Sequence, residues 1–114
     1  MPREHRPVGA ENPDVGHPVD VEESGLAADP LGARRVGTVA WSALSRAGAE
    51  SVLVDDDDIR SSQRVLWDAL HLVVEPGGAA ALAALRAGAY RPEPGERVAA
   101  ALCGTNCDPA TVMG

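Results

Sequence analysis

"VVEPGGAAALAALRAGAYRPEPGERVAAALCGTNCD" (Val73–Asp108) is the stretch on which the reading of this chain turns. It begins with an acid, a proline and two glycines, and then becomes alanine-rich. It ends with a short apolar run and a Cys-Gly-Thr-Asn turn. Pro76 suits the first turn of a helix, where its missing N–H would have no partner anyway. Leu82 and Leu85 are the large apolar residues of that helix, and Gly88 is its natural stop. "YRPEPGE" then reads as a loop and "RVAAALC" (97–103) as a buried strand. In open parallel sheets ligands sit outside the carboxyl ends of the strands, where "CGTN" would lie. The helix that opens at Glu75-Pro-Gly-Gly turns free N–H groups outward, a feature suited to an anion or dipole. Glycines at such corners most often serve tight turns. The alternative is that the two corners face a common ligand.

Upstream, Val36, Val39, Ala40, Ala43, Leu44 and Ala47 recur at helical spacing, which predicts a helix near 32–47 that ends at Gly48. "SVLV" (51–54) is short, apolar and β-branched, as a buried strand would be. Asp55–Asp58 read as the cap and first turn of a further helix, since carboxylates there oppose the positive end of the helix dipole. That helix should span 56–70 with Ile59, Leu66 and Leu70 as its stripe and Gln63 interrupting it. "LVV" (72–74) is a brief extended link, and "ATVMG" begins a last helix. Strands alternating with helices point to an α/β layer with a parallel sheet. Two strands can supply only part of one. Residues 1–18, proline-rich and without apolar periodicity, read as an irregular arm. Residues 19–114 form the remaining segment, opening with a short extended piece and a loop up to Gly32.

The chain has 114 residues, of which 45% are apolar but only three aromatic, so alanine, valine and leucine must fill the core. That predicts a thin core of modest stability. Trp41 and Trp67 read as its anchors. The formal charge of -7 argues against nucleic acid or an anionic membrane as a partner. Cys103 and Cys107 are too few for a disulfide scaffold or a zinc site, which favours a reduced, cytoplasmic setting. There is no signal peptide and no apolar run of spanning length. Every basic side chain other than histidine is an arginine; the chain contains no lysine.

"GLAADPLGARRVG" (25–37), "VLVDDDDIRSSQRVLWDALHLVVEPGGAAALAAL" (52–85) and "LCGTNCDPA" (102–110) together resemble the C-terminal part of the serine/threonine dehydratases, or threonine ammonia-lyases. These are pyridoxal 5'-phosphate (PLP) enzymes of fold type II, the tryptophan-synthase-β-like family. The resemblance runs from about Gly16 to the end and implies a C-terminal fragment of the family's α/β large domain. By resemblance, Cys103 stands where the family has a Ser or Cys against the pyridine nitrogen of the cofactor, with Gly104 and Asn106 shaping the same loop. A thiol is a weak hydrogen-bond partner and cannot hold that nitrogen protonated as a carboxylate could. The ring would then be a weaker electron sink, which suits β-elimination. Glu75 matches the family's acid at the start of the late helix, whose side chain points towards the cofactor region, so the resemblance counts it among the cofactor-binding residues; read without the resemblance, it would cap that helix. The loop "ADPLGA" (28–33) matches a stretch near the family's cleft.

The departures from the family pattern are large. Its Schiff-base lysine has no counterpart here, and neither have its phosphate-binding glycine loop and small substrate domain. Glu4 and Glu11 make poor candidates for the cation site of some relatives, so no metal is expected. Covalent PLP chemistry requires an amine, so no residue of this chain is expected to be catalytic by itself. The implied whole enzyme would remove water from L-threonine or L-serine to give a 2-oxoacid and ammonia. The implied partners are an N-terminal enzyme fragment or a family-type homo-oligomer, with a small amino acid as substrate. The alternatives are a non-catalytic interaction module, and a racemase or other β-replacement member of the same family. His5, His17 and His71 are scattered, and no serine is placed for a hydrolase triad. Arg34 and Arg35 read as solvated surface.

Overall fold

The computed structural model describes residues 6–7 and 37–113. Its elements in chain order are β1 (Arg6–Pro7), α1 (Thr38–Ala47), β2 (Glu50–Ser51), α2 (Asp56–Leu70), α3 (Pro76–Arg86) and α4 (Ala110–Met113). The loop 28–33, Arg34, Arg35 and the first residues of the helix expected from 32 lie outside the described residues.

α1 follows Gly37 as N-cap and ends at Gly48, whose left-handed backbone (φ +65°) turns its N–H toward the carbonyls of Leu44 and Ser45. None of its residues is buried, and among the described residues it packs on no other helix. α2 has the expected limits. Asp55 is its N-cap residue, and Asp56, Asp57 and Asp58 occupy its first turn, although no side chain makes a capping hydrogen bond. Its C-cap is His71 in the left-handed conformation (φ +55°), which histidine tolerates better than most residues.

The core lies between α2 and α3. Ile59 and Leu66 project from α2 onto Ala79 and Ala83 of α3, with Val74 joining from the link between the helices. Burial of Ile59 or Leu66 stabilises the fold by about 1.5–3 kcal/mol each. The buried face of α3 consists of Gly78, Ala79, Ala83 and Ala84. Leu82 and Leu85, its large apolar residues, are half-buried, Leu82 packing against the edge of the core. Small side chains on that face let the helices approach closely, so the alanines go inward and the leucines to the flanks. α4 closes the other side of α2 through Val112, which is 2% exposed. The tryptophans do not anchor this core: both are half-buried, and Trp67 meets His71 edge-on at 5.4 Å.

The expected partial parallel sheet does not form among the described residues. Their one strand pairing is antiparallel, between β1 and β2, with Arg6 opposite Ser51 and Pro7 opposite Glu50. Val52–Val54 and Arg97–Cys103 carry no ladder. Residues of both runs line an open groove of about 560 Å³, among them Val52, Val98 and Ala100, with Ala84 of α3. A strand exists only where a hydrogen-bonded ladder joins it to a neighbour, and among the described residues neither run has such a ladder. The runs therefore leave Leu53, Val98 and Leu102 exposed.

Candidate functional site

The two glycine corners meet. Glu75 is the N-cap residue of α3 with extended backbone (φ -67°, ψ 160°), and its N–H donates to the Gly104 carbonyl at 2.9 Å. Three residues on, Gly78 packs its bare α-carbon against the Cys103 backbone. A Cβ at Gly78 would lie 1.6 Å from the Cys103 carbonyl oxygen. The contact is repeated in the other direction: Gly104 (φ +79°) lies under the Glu75 side chain, and a Cβ there would fall 1.6 Å from Glu75 Oε1. Gly78 is thus closed to any side chain by backbone, whereas Gly104 faces the movable Glu75 carboxylate and is held to glycine by its left-handed φ, which glycine adopts at little cost.

Glu75 makes no side-chain cap on α3. Its carboxylate lies over the Cys103–Gly104 turn, so hydrogen-bonded capping is not what occupies it. A negative charge at a helix N-terminus is nonetheless favoured by the dipole. The half-buried Cys107 thiol is pushed above its ordinary pKa, first by burial and then by the Glu75 and Asp108 carboxylates. Asp108 in turn accepts from the Ala110 N–H at 3.0 Å and starts α4, which ties the turn to the body of the fold.

The structure therefore brings Glu75, Cys103 and Gly104 into one corner, with Asn106 on the same turn. Cys103, Gly104 and Asn106 are exposed and Glu75 is half-buried. A thiol, a carboxamide and backbone groups are open there to hydrogen-bond a ligand. Both cysteines are free. No group of three or more His, Cys, Asp or Glu able to hold a metal occurs among the described residues. His5, His17, Glu4 and Glu11 lie outside them, and His71 is exposed at the end of α2.

Two supporting residues were not apparent from the sequence. Gln63, which interrupts the apolar stripe of α2, is buried and donates through Nε2 to the Val74 carbonyl at 2.8 Å. Arg86, in the last turn of α3, donates to Ser61 Oγ and Ser62 Oγ of α2, each at 3.1 Å. A polar residue on an otherwise apolar helical face was the available signal for Gln63.

The model of a family described as "Pyridoxal-phosphate dependent enzyme" matches residues 4–104. Phenylserine dehydratase of Ralstonia pickettii is 38% identical over 98 residues, which cover 86% of this chain and 30% of that protein. L-threonine dehydratase biosynthetic IlvA of Escherichia coli (strain K12) is 34% identical over 94 residues, covering 82% of this chain and 18% of that protein. The corresponding dehydratase of Salmonella typhimurium is 33% identical with the same coverage. The chain thus spans about a third or less of the length of these relatives. No solved structure matches it significantly. No helix among the described residues is long and apolar enough to cross a membrane. With nearly the whole chain matched and the glycine corners in contact within the matched span, the chain belongs to the α/β, fold type II family of pyridoxal-phosphate dependent enzymes.

Proposed function

We propose that this chain supplies one wall of the cofactor site of a dehydratase acting on 3-hydroxy amino acids. L-threonine and L-serine are the substrates implied by the sequence motifs, and phenylserine is the one named in the Ralstonia relative. The observation that carries the reading is the corner itself: Glu75, Gly78, Cys103 and Gly104 are held together by one backbone hydrogen bond, the close approach of Gly78 to the Cys103 backbone, and the Glu75 side chain lying over Gly104. The lock leaves the Cys103 thiol and Asn106 exposed beside it.

The residues fit one edge of pyridoxal phosphate. Cys103 would meet the ring nitrogen with a weak, neutral partner, and Gly104 and Asn106 would bound the ring on that side. Glu75 would hold the turn from behind. The covalent and phosphate-binding edges have no match, since the chain contains no lysine and no glycine-rich phosphate loop. When bound, the cofactor supplies an electron sink for the bond broken at the substrate's α-carbon. The amine that would carry the cofactor must come from polypeptide outside these residues.

An N-terminal enzyme segment, or a family-type oligomer that includes one, is therefore the proposed partner. α1 offers a surface for it, packed on no other helix among the described residues and with Val39 84% exposed, as do the exposed Leu53, Val98 and Leu102. Two free cysteines are consistent with a reducing, cytoplasmic setting.

The test is co-expression of the full chain with the lysine-bearing N-terminal segment of a family dehydratase, followed by an assay for 2-oxoacid from L-threonine, L-serine and phenylserine. Product should require both pieces and the cofactor. Oxoacid formed by this chain alone would overturn the lysine argument, and its absence from the pair would favour a non-catalytic interaction module.

A further inference from the structure

The peptide unit between Val74 and Glu75 is held at both ends of its dipole. Its carbonyl accepts from Gln63 Nε2 at 2.8 Å. Its N–H donates to the Gly104 carbonyl at 2.9 Å. The two bonds therefore act in series through one rigid amide plane, and each polarises that amide in favour of the other.

The donor residue is an unexpected one for its place. Gln63 is 5% exposed, and its helical neighbours Ile59 and Leu66 are core residues. A buried amide is costly unless it is bonded, and an apolar side chain of similar size would fill the same volume without that cost. The Val74 carbonyl also needs a donor: it is buried, and it lies in a link where no helix or strand supplies one. Gln63 meets that need from across a loop, eleven residues earlier in the chain.

We infer that Gln63 is a positioning residue for the Glu75–Cys103–Gly104 corner. From the middle of α2 it fixes the plane of the 74–75 peptide, and that plane seats the turn carrying Cys103 and Gly104. The relevance of this seating to the cofactor rests on the function proposed above; the clamp itself is a property of this chain and is testable without cofactor.

The experiment is amide hydrogen exchange by NMR on the full chain, with Gln63→Met and Gln63→Glu as variants. In the unsubstituted chain the Glu75 amide should be protected like mid-helix amides of α3, such as Ala83. In Gln63→Met the Glu75 amide should exchange about tenfold faster relative to Ala83, the scale of one lost hydrogen bond. Gln63→Glu should match it at neutral pH, where a carboxylate has no donor, and recover protection in acid, where the protonated acid can donate. Cys103 alkylation should change in step with Glu75 exchange. Equal acceleration of Glu75 and Ala83 in the variants would mean only a general loss of stability, and would overturn the inference. Even where a variant does not fold, rapid exchange of Glu75 in the unsubstituted chain beside a protected Ala83 would overturn it. If the clamp behaves as stated and the paired enzyme still makes no oxoacid, the function fails while the inference stands. If Glu75 and Ala83 move together, the inference fails whatever the paired enzyme does.

Discussion

Replacing Gly78 by alanine should unseat the corner while leaving α3 intact. An added Cβ would meet the Cys103 carbonyl oxygen at 1.6 Å and its carbon at 2.7 Å, both inside the 3.0 Å that real contacts respect. Both atoms belong to backbone, so no side chain can swing aside. The Cys103–Gly104 turn must lift from the helix, and the 2.9 Å bond from Glu75 to Gly104 breaks with it. Overpacking of this kind costs about 1–3 kcal/mol, and the lost hydrogen bond about 1 kcal/mol more. Alanine's better helix propensity returns about 1 kcal/mol. The net destabilisation is about 1–3 kcal/mol. Urea unfolding followed by far-UV circular dichroism measures it. In the same variant, alkylation of Cys107 should accelerate, because lifting the turn uncovers a thiol that is half-buried. Gly37→Ala is the control, since a Cβ there meets nothing within 4 Å. A Gly78→Ala chain as stable as its parent, with Cys107 reacting at the parental rate, would refute the close approach on which the corner depends.

Further outcomes follow from two side-chain networks. Tyr90 is the chain's only tyrosine, and its hydroxyl donates to Glu96, which also accepts from the Glu93 N–H at 2.8 Å. The hydrogen bond to Glu96 raises the Tyr90 pKa above its usual value near 10, and the same bond lowers that of Glu96. Phenolate absorbance should therefore appear at higher pH than for free tyrosine, and Glu96→Ala should bring it down. The Glu96 contribution is present above the carboxylate's ordinary pKa and is lost as pH falls through the lowered folded value, so the 90–96 loop should loosen only in strong acid. For Arg86→Met, the loss of both serine contacts should cost about 1 kcal/mol, read as a lower urea midpoint, with Ser62→Ala in the same background adding little.

The helices were legible in the sequence because their signals are local. The acid cluster at Asp55–Asp58 and the proline at Pro76 start α2 and α3 where the residues themselves require it. The strands were not, because a ladder needs a neighbour that 52–54 and 97–103 do not find among the described residues. Composition pointed to alanine, valine and leucine as core fillers, and alanines do form the buried face of α3; the tryptophans expected to anchor that core stay half-buried outside it. Gly78 and Gly104 could be seen as corners, but not as each other's packing partners, because that contact is made across the whole length of α3 and the loop beyond it. Gln63 read as a defect in a stripe, since its acceptor belongs to the link after the helix.

The bond between residues 75 and 104 runs from one main chain to the other. Any amino acid except proline can offer that donor at position 75, whereas position 78 admits only hydrogen where a side chain would begin and position 104 holds a left-handed φ that favours glycine. Drift in such a chain is therefore lopsided: the acid over the turn can be exchanged to alter the chemistry presented there while the scaffold beneath it stays as it is.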